Sequence, residues 1–356
     1  MIFRLLMLLS LIIYEIIKPQ WKSMINYKIE EVDQFDHDTV NSLLVGSPFS
    51  PYRNLFVSTG SEIQKFWLEK ISTTAQKKTS KSFTAIQNNK NIGFAQVADL
   101  DWDSQLFGIP MCSIQELIVD ENQPDKDEIC NGLVSNVLDW ADKHHYKFIL
   151  AKTYTNNISC IHAFERFGFL LVDTLLDFAV DFRNTPFSSI PMQEKSGDVI
   201  IRMAELKDEM ELESLADVAF KYHFGRYHSD PRLSKAQATK VYVKWMSSSI
   251  RGYADFFILA EIEGKIAGLS IWKKASELER KYLINVSHYS LGAIHPDFSG
   301  RGLFNLLTYE GMKLFNGKSD VVEGPTHINN YPVQRGYQRL GWKIYDARHS
   351  FHKWLS

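Results

Sequence analysis

Apolar and polar positions along this chain follow two successions of the same kind. Tyr27 to Val32 alternates enough for a half-buried strand, while Asp36 to Leu44 and Glu62 to Ile71 repeat apolar residues at helical spacing. Strands at Ser82 to Gln87 and Ile92 to Leu100 flank a hairpin-type turn at Asn88 to Asn91. The polar, aromatic stretch Asp101 to Pro110 reads as a packed loop whose Trp102 and Phe107 plug the core, with substrate contact as the alternative. A strand over Met111 to Val119 follows. Asp125 to Lys143 then carries Ile129, Leu133, Val137 and Trp140 on one helical face, and Lys147 to Lys152 is again strand-like.

Arg183 to Asp198, rich in Pro, Ser and polar residues, reads as a linker. Beyond it come a strand near Val199 to Arg202, a helix over Glu205 to Phe220 and a second helix from Ser234 through Trp245. Phe256 to Glu261 and Ile266 to Lys273 form a strand pair joined at Glu263 to Lys265, and a long strand spans Tyr282 to Ile294. Leu303, Leu306, Leu307 and Leu314 then recur as on a helix, and Val321 to Thr326 is a strand. Asn157 and Asn330, Phe164 and Tyr337, and Gly168 and Gly341 each stand 173 residues apart, which reads as an internal duplication. The chain divides into a hydrophobic segment over 1–23, a first unit over 24–183, a linker over 184–198 and a second unit over 199–356.

Between the long strand and the leucine helix, Gly300 and Gly302 bracket Arg301. Such a turn at a helix start lets backbone N–H groups and the helix dipole face an anion, a pyrophosphate among them, although a plain strand-to-helix turn looks the same. In the first unit the corresponding stretch, Asp120 to Asp127, has no glycine and is acidic, so it repels a pyrophosphate.

Strand, glycine turn, helix and strand, followed by Asn330, Val333, Tyr337, Leu340, Gly341 and Trp342 at their spacing, resemble a GNAT N-acetyltransferase. The resemblance implies an α/β fold of two tandem GNAT-like domains, each a mixed, mostly antiparallel sheet flanked by helices with a splayed central strand pair. It implies acetyl-CoA as co-substrate and no metal. Ser299, Gly300, Arg301, Gly302, Leu303 and Phe304 would cradle the pyrophosphate, Asn330 would contact the cofactor, and Leu291, Gly292 and Ala293 would present N–H groups to the thioester oxygen. Tyr337 would protonate the leaving thiolate. Two positions depart from the family pattern: Ser299 replaces its Gln or Arg, and Phe304 its last Gly or Ala. Phe164 stands where the first unit would need the tyrosine, so that unit reads as degenerate, packing against the second and walling its cleft.

Trp102 to Gly108, Phe167 to Thr174 and Lys221 to Pro231 are similar to the dTDP-fucosamine N-acetyltransferase branch, whose acceptor is an amine on a nucleotide-linked deoxysugar. Arg226, Tyr227, His228 and Asp230 would then line the sugar-nucleotide end of the cleft, with a solvated turn as the alternative. His288, with Glu323 and His327 behind it, is the candidate base that removes the amine proton, by direct transfer in a ternary complex. Another small amine as acceptor, or a catalytically silent module binding acyl-CoA or a partner, are the competing readings.

At 356 residues there is chain enough for two cores. A net charge of −2 gives no reason to expect nucleic acid. Cys112, Cys130 and Cys160 are odd in number and lack metal-type spacing, so free thiols in a reducing, cytoplasmic setting are expected. Leu5 to Tyr14 is apolar apart from Ser10. An over-extended gene start ranks first for that segment, a peripheral membrane anchor second and a cleaved signal last, and a homodimer is among the expected assemblies.

Overall fold

The computed structural model describes residues 27–32, 36–191 and 197–356. The hydrophobic segment 1–23 lies outside the described residues; among those described, no helix is long and apolar enough to cross a membrane. The first unit runs β1 (Lys28–Val32), α1 (His37–Leu44), α2 (Gly60–Ala75), β2 (Ser80–Gln87), β3 (Lys90–Asp99), α3 (Asp101–Phe107), β4 (Met111–Val119), α4 (Lys126–Lys143), β5 (Phe148–Tyr154), α5 (Ile158–Arg166) and β6 (Leu170–Asp181). The second runs β7 (Ile200–Met203), α6 (Glu209–Phe220), α7 (Arg226–Ser229), α8 (Lys235–Ser248), β8 (Phe256–Ile262), β9 (Lys265–Lys273), α9 (Glu277–Lys281), β10 (Val286–Ile294), α10 (Leu303–Phe315), β11 (Val321–His327), α11 (Tyr331–Arg339) and β12 (Lys343–Trp354).

The duplication is carried by the backbone. β5 and β11, α5 and α11, and β6 and β12 each begin 173 residues apart and match in length. All twelve strands form one sheet in the order β1-β2-β3-β4-β5-β12-β6-β11-β10-β9-β8-β7. The terminal strands are therefore exchanged: β12 completes the first unit beside β5, and β6 completes the second beside β11. Between them β6 and β12 pair antiparallel from Lys343↔Ala179 to His352↔Leu170. Packing follows the exchange. Phe351 of β12 joins Ile129, Leu133 and Val137 in the first core, while Phe178 and Val180 of β6 join Leu303, Leu306 and Phe315 in the second. Each fully buried phenylalanine contributes about 1.5–3 kcal/mol of burial to the half it was not coded in.

Two expectations change. Asp101–Phe107 is a helix, not a loop: Asp101 and Asp103 favour its N-terminal dipole end, and Gly108 at φ 66° closes it in the left-handed region. Seven residues are too few to show a helical period. Phe107 is buried as expected, but Trp102 is 44% exposed and plugs nothing. The long strand begins at Val286 rather than Tyr282, because Ser276 and Glu279 form a capping box that starts α9.

Candidate active site

Strands β10 and β11 pair in parallel only at Val286↔Val321, Ser287↔Val322 and His288↔Glu323. Thereafter β10 follows β9 and β11 follows β6, so a wedge opens between them. An irregularity between Tyr289 and Leu291 on β10 precedes Leu291 and Gly292, which are partly exposed, and Ala293, which is buried. The base of the wedge holds Tyr289, perpendicular to Trp272 at 4.6 Å and to Tyr337 at 5.9 Å. Gly292 and Gly324 leave room for that ring: a Cβ on Gly292 would collide with the Tyr289 hydroxyl, and one on Gly324 would come within 2.9 Å of the Tyr289 Cβ and 3.0 Å of the Tyr337 hydroxyl.

Tyr337 comes from α11 and is completely buried. Its hydroxyl has no hydrogen-bond partner, an arrangement that costs about 1–3 kcal/mol unless something else satisfies it. Burial, then the neighbouring Tyr289 and Glu323, push its pKa well above the ordinary phenol value, so it holds its proton. Asn330 caps the same helix without a side-chain bond to it, whereas its counterpart Asn157 accepts from the Cys160 amide at 3.4 Å. The carboxamide of Asn330 is thus left uncommitted by its own helix.

At the other end of the wedge, Gly300 and Gly302 have φ of 78° and 75°, and a Cβ on either would meet nothing within 4 Å. Gly302 caps α10, so the first amides of that helix have no partner within it. Ser299, Arg301 and both glycines are exposed, Leu303 is buried, and the Arg301 guanidinium lies 5.2 Å from the Phe298 ring. Phe304 is accommodated by Gly336: a Cβ there would come within 2.5 Å of the Phe304 ring. The wedge thus has an open, positive-φ turn at one end and an orphaned buried phenol at the other. Among the described residues no group of three or more His, Cys, Asp or Glu could hold a metal ion.

His288 is not free to act as a base. Its Nδ1 lies 2.8 Å from Glu323 and its Nε2 3.1 Å from Glu279, so both ring nitrogens donate. Burial alone would lower its pKa, but these two carboxylates outweigh burial and raise it to about 10. Glu279 is correspondingly held at about 2, burial being overcome by His288 and by the Ser276 and Tyr52 hydrogen bonds. An imidazolium without a lone pair cannot take a proton. Tyr52, whose hydroxyl donates to Glu279, carries no sequence signal for that contact, which spans 227 residues. His327 is differently placed: its Nδ1 lies 2.8 Å from Asp173 and its Nε2 3.1 Å from His223. Burial, then His327 and His228, lower the His223 pKa to about 3, so that ring is neutral.

The four expected acceptor residues separate. Asp230 is buried and accepts from His352 at 2.8 Å, Trp354 at 2.9 Å and the Arg232 amide at 2.9 Å, which ties α7 to β12. His228 is buried against Thr239, and the Tyr227 hydroxyl donates to Asp103 of the first unit. Tyr227 thus joins the two units, Asp230 anchors α7 to the exchanged strand β12, and His228 is held within the second unit. Arg226 alone turns into a cleft, and the cleft lies in the first unit, where β4 and β5 pair over Met111↔Phe148 to Ile114↔Ala151 and then diverge. A cavity of about 430 Å³ fills that wedge. Ile114 and Phe164 stand there in place of Tyr289 and Tyr337, and the turn beyond holds Asp120 and an ion pair of Glu121 with Lys126 in place of glycines.

Residues 49–169 match the model of the Acetyltransferase (GNAT) family. No curated protein matches the chain. Among solved structures it is similar to a tandem GNAT protein from the clavulanic acid biosynthesis pathway, at 12% identity and a TM-score of 0.58 over 92% of this chain and 98% of that one. A GCN5-related N-acetyltransferase from Sphaerobacter thermophilus matches at 12% identity and a TM-score of 0.59, over 92% and 96%. A GCN5-related glucosamine N-acetyltransferase region of a fungal multi-domain GH3 beta-N-acetylglucosaminidase matches at 11% and 0.59, over 92% of this chain and 38% of that one. At such identities the likeness is one of fold, and the fold is that of tandem GNAT proteins.

Proposed function

We propose that the chain is an acetyl-CoA-dependent N-acetyltransferase of the tandem GNAT kind, whose second unit carries the reaction while the first walls its acceptor cleft. The observation that carries this reading is the Tyr337 hydroxyl, buried without a partner at the splay of β10 and β11. The open turn at Gly300 and Gly302 supports it independently.

Acetyl-CoA supplies the acyl group as a thioester. Amides at the start of α10 bind its diphosphate, with Asn330 beside the arm. Tyr289, Phe304 and Tyr337 make the far end of the wedge apolar and exclude water from it. N–H groups along Leu291 to Ala293 stabilise negative charge on the carbonyl oxygen as the amine attacks. Tyr337 then gives its proton to the departing sulfur. The proton of the incoming ammonium leaves through water, because both ring nitrogens of His327 are engaged, Nδ1 by Asp173 and Nε2 by His223. His288 acts instead as a fixed positive charge between Glu279 and Glu323.

The acceptor is a primary amine, and an amino-deoxysugar linked to a nucleotide is the reading we favour. The branch resemblance supports it, as does the fungal neighbour described as a glucosamine N-acetyltransferase region. Three buried, unpaired cysteines support a reducing, cytoplasmic setting. The family match over residues 49–169 and the open wedge beside β4 favour a second reading, with acetyl-CoA held by the first unit. Calorimetric titration with acetyl-CoA separates the two. Saturable binding lost in Gly302→Glu, with acetylation of dTDP- or UDP-amino sugars by the wild type, supports the second unit. Binding that survives the substitution moves the co-substrate to the first.

A further inference from the structure

We propose that the wedge between β4 and β5 is a binding site for a small organic anion, its oxyanion held by Arg226 and Lys152 and its apolar part against Ile114, Leu117 and Phe164. This site goes beyond acetyl transfer and rests on the reading that places acetyl-CoA in the second unit, which leaves this wedge free for another ligand.

Two cations of this cavity make no ion pair among the described residues. The cavity is lined by residues of both units, Arg226 and Arg348 coming from the second. Most of its charged groups are already matched: Arg348 with Asp177 at 2.6 Å, Glu121 with Lys126 at 2.7 Å, and Asp103 with the Tyr227 hydroxyl. Burial raises the pKa of Glu116, opposed by Lys70 and Trp67, which moves that carboxyl toward its neutral form. Lys152 and Arg226 are paired with none of these, although Asp103 lies near enough to act on both and Asp173 on Lys152. Arg226 donates to the Tyr227 hydroxyl at 3.1 Å, but its Nε is buried without a partner, and no ion pair with a carboxylate is made by either residue among the described residues. Lys152 lines the cavity and is exposed to it.

The electrostatics agree with the geometry. Arg226 above all, then burial and Arg348, lower the Lys152 pKa to about 7 against the opposing pull of Asp103 and Asp173. A cationic pocket that drives a proton off a lysine gains most from an anion, whose arrival restores the proton. The volume of about 430 Å³ suits a small molecule and exceeds what a bare ion needs. The apolar residues on the α4 and α5 side give such a molecule's carbon skeleton a place to lie.

The test is calorimetric titration of the full chain at pH 8 with inorganic phosphate and with hexanoate, in two buffers of different ionisation enthalpy. The expected result is saturable binding of one or both probes with proton uptake, at least tenfold weaker in Lys152→Met and Arg226→Gln. Phosphate alone binding assigns a phosphorylated ligand, and hexanoate alone a carboxylate. Arg226 stacks on Tyr227 at 4.4 Å and its loss could disturb folding, so Lys152→Met decides if Arg226→Gln fails to fold. No binding of either probe overturns the proposal. So does binding that persists in Lys152→Met but disappears in Gly302→Glu, which would put the anion on the glycine turn.

Discussion

His288 and Glu323, neighbours across the parallel pair of β10 and β11, are joined at 2.8 Å on the sheet face opposite Tyr337. Glu279 closes the other side of the ring, so one cation holds two buried carboxylates. The folded His288 pKa, about 10, lies above the unfolded value near 6.5. Its stabilising contribution is therefore complete below about pH 6.5 and lost as pH rises toward 10. The Glu279 contribution runs the other way, present above about pH 4.5 and lost toward 2. Thermal denaturation of the wild type should show stability falling between pH 6.5 and 10. His288→Leu should cost about 3–5 kcal/mol at pH 6 and flatten that fall. An equally steep alkaline loss in the variant would remove His288 as its source.

Tyr337→Phe should separate chemistry from binding. Loss of a general acid predicts a kcat about 10²–10⁴ lower with acetyl-CoA affinity unchanged. Because the deleted hydroxyl is buried and unpartnered, the same change should leave stability equal or raise it by about 1–3 kcal/mol. Calorimetry and urea unfolding beside a steady-state assay check both parts. Unchanged turnover would withdraw the tyrosine from the reaction.

Gly336 should reverse the usual rule for helices. Exchanging glycine for alanine inside a helix gains about 1 kcal/mol from propensity. At Gly336 the new methyl would come within 2.5 Å of the Phe304 ring and 2.9 Å of the Asn305 side-chain oxygen. Gly336→Ala should instead destabilise by about 1–3 kcal/mol, and Phe304→Ala added to it should recover part of the loss. Additive losses in the double-mutant cycle would contradict the contact.

Arg348 holds the exchanged strands at the sheet centre through its two bonds to Asp177, at 2.7 and 2.6 Å. Burial raises the Asp177 pKa against the pull of Arg348, so Asp177 without its partner would lie charged and uncompensated or take up a proton. Arg348→Met should cost about 3–5 kcal/mol, and urea unfolding followed in both units should still be a single transition. Two separate transitions would mean that the exchange does not couple the halves.

Much of this architecture is legible in the chain. The 173-residue offset between Asn157 and Asn330 recurs in the starts of β5 and β11 and of β6 and β12, because a duplicated unit repeats its hydrophobic period along with its motif. The glycine turn is legible too, since Gly300 and Gly302 occupy the positive-φ positions that glycine favours. What is not legible depends on contacts between distant segments. No local pattern tells that β12 pairs with β5 instead of closing its own unit. Arg226 to Asp230 read as one loop with one purpose, yet Asp230 is committed to His352 and Trp354 while Arg226 faces another cavity.

The exchange of β6 and β12 also sets an order of events during synthesis. The first unit leaves the ribosome with the outer edge of β5 bare until the strand that covers it, Lys343–Trp354, has followed the rest of the second unit. A premature stop or a cut ahead of β12 would therefore strike the first unit as well as the second, stripping Phe351 from its core and exposing β5 to other chains.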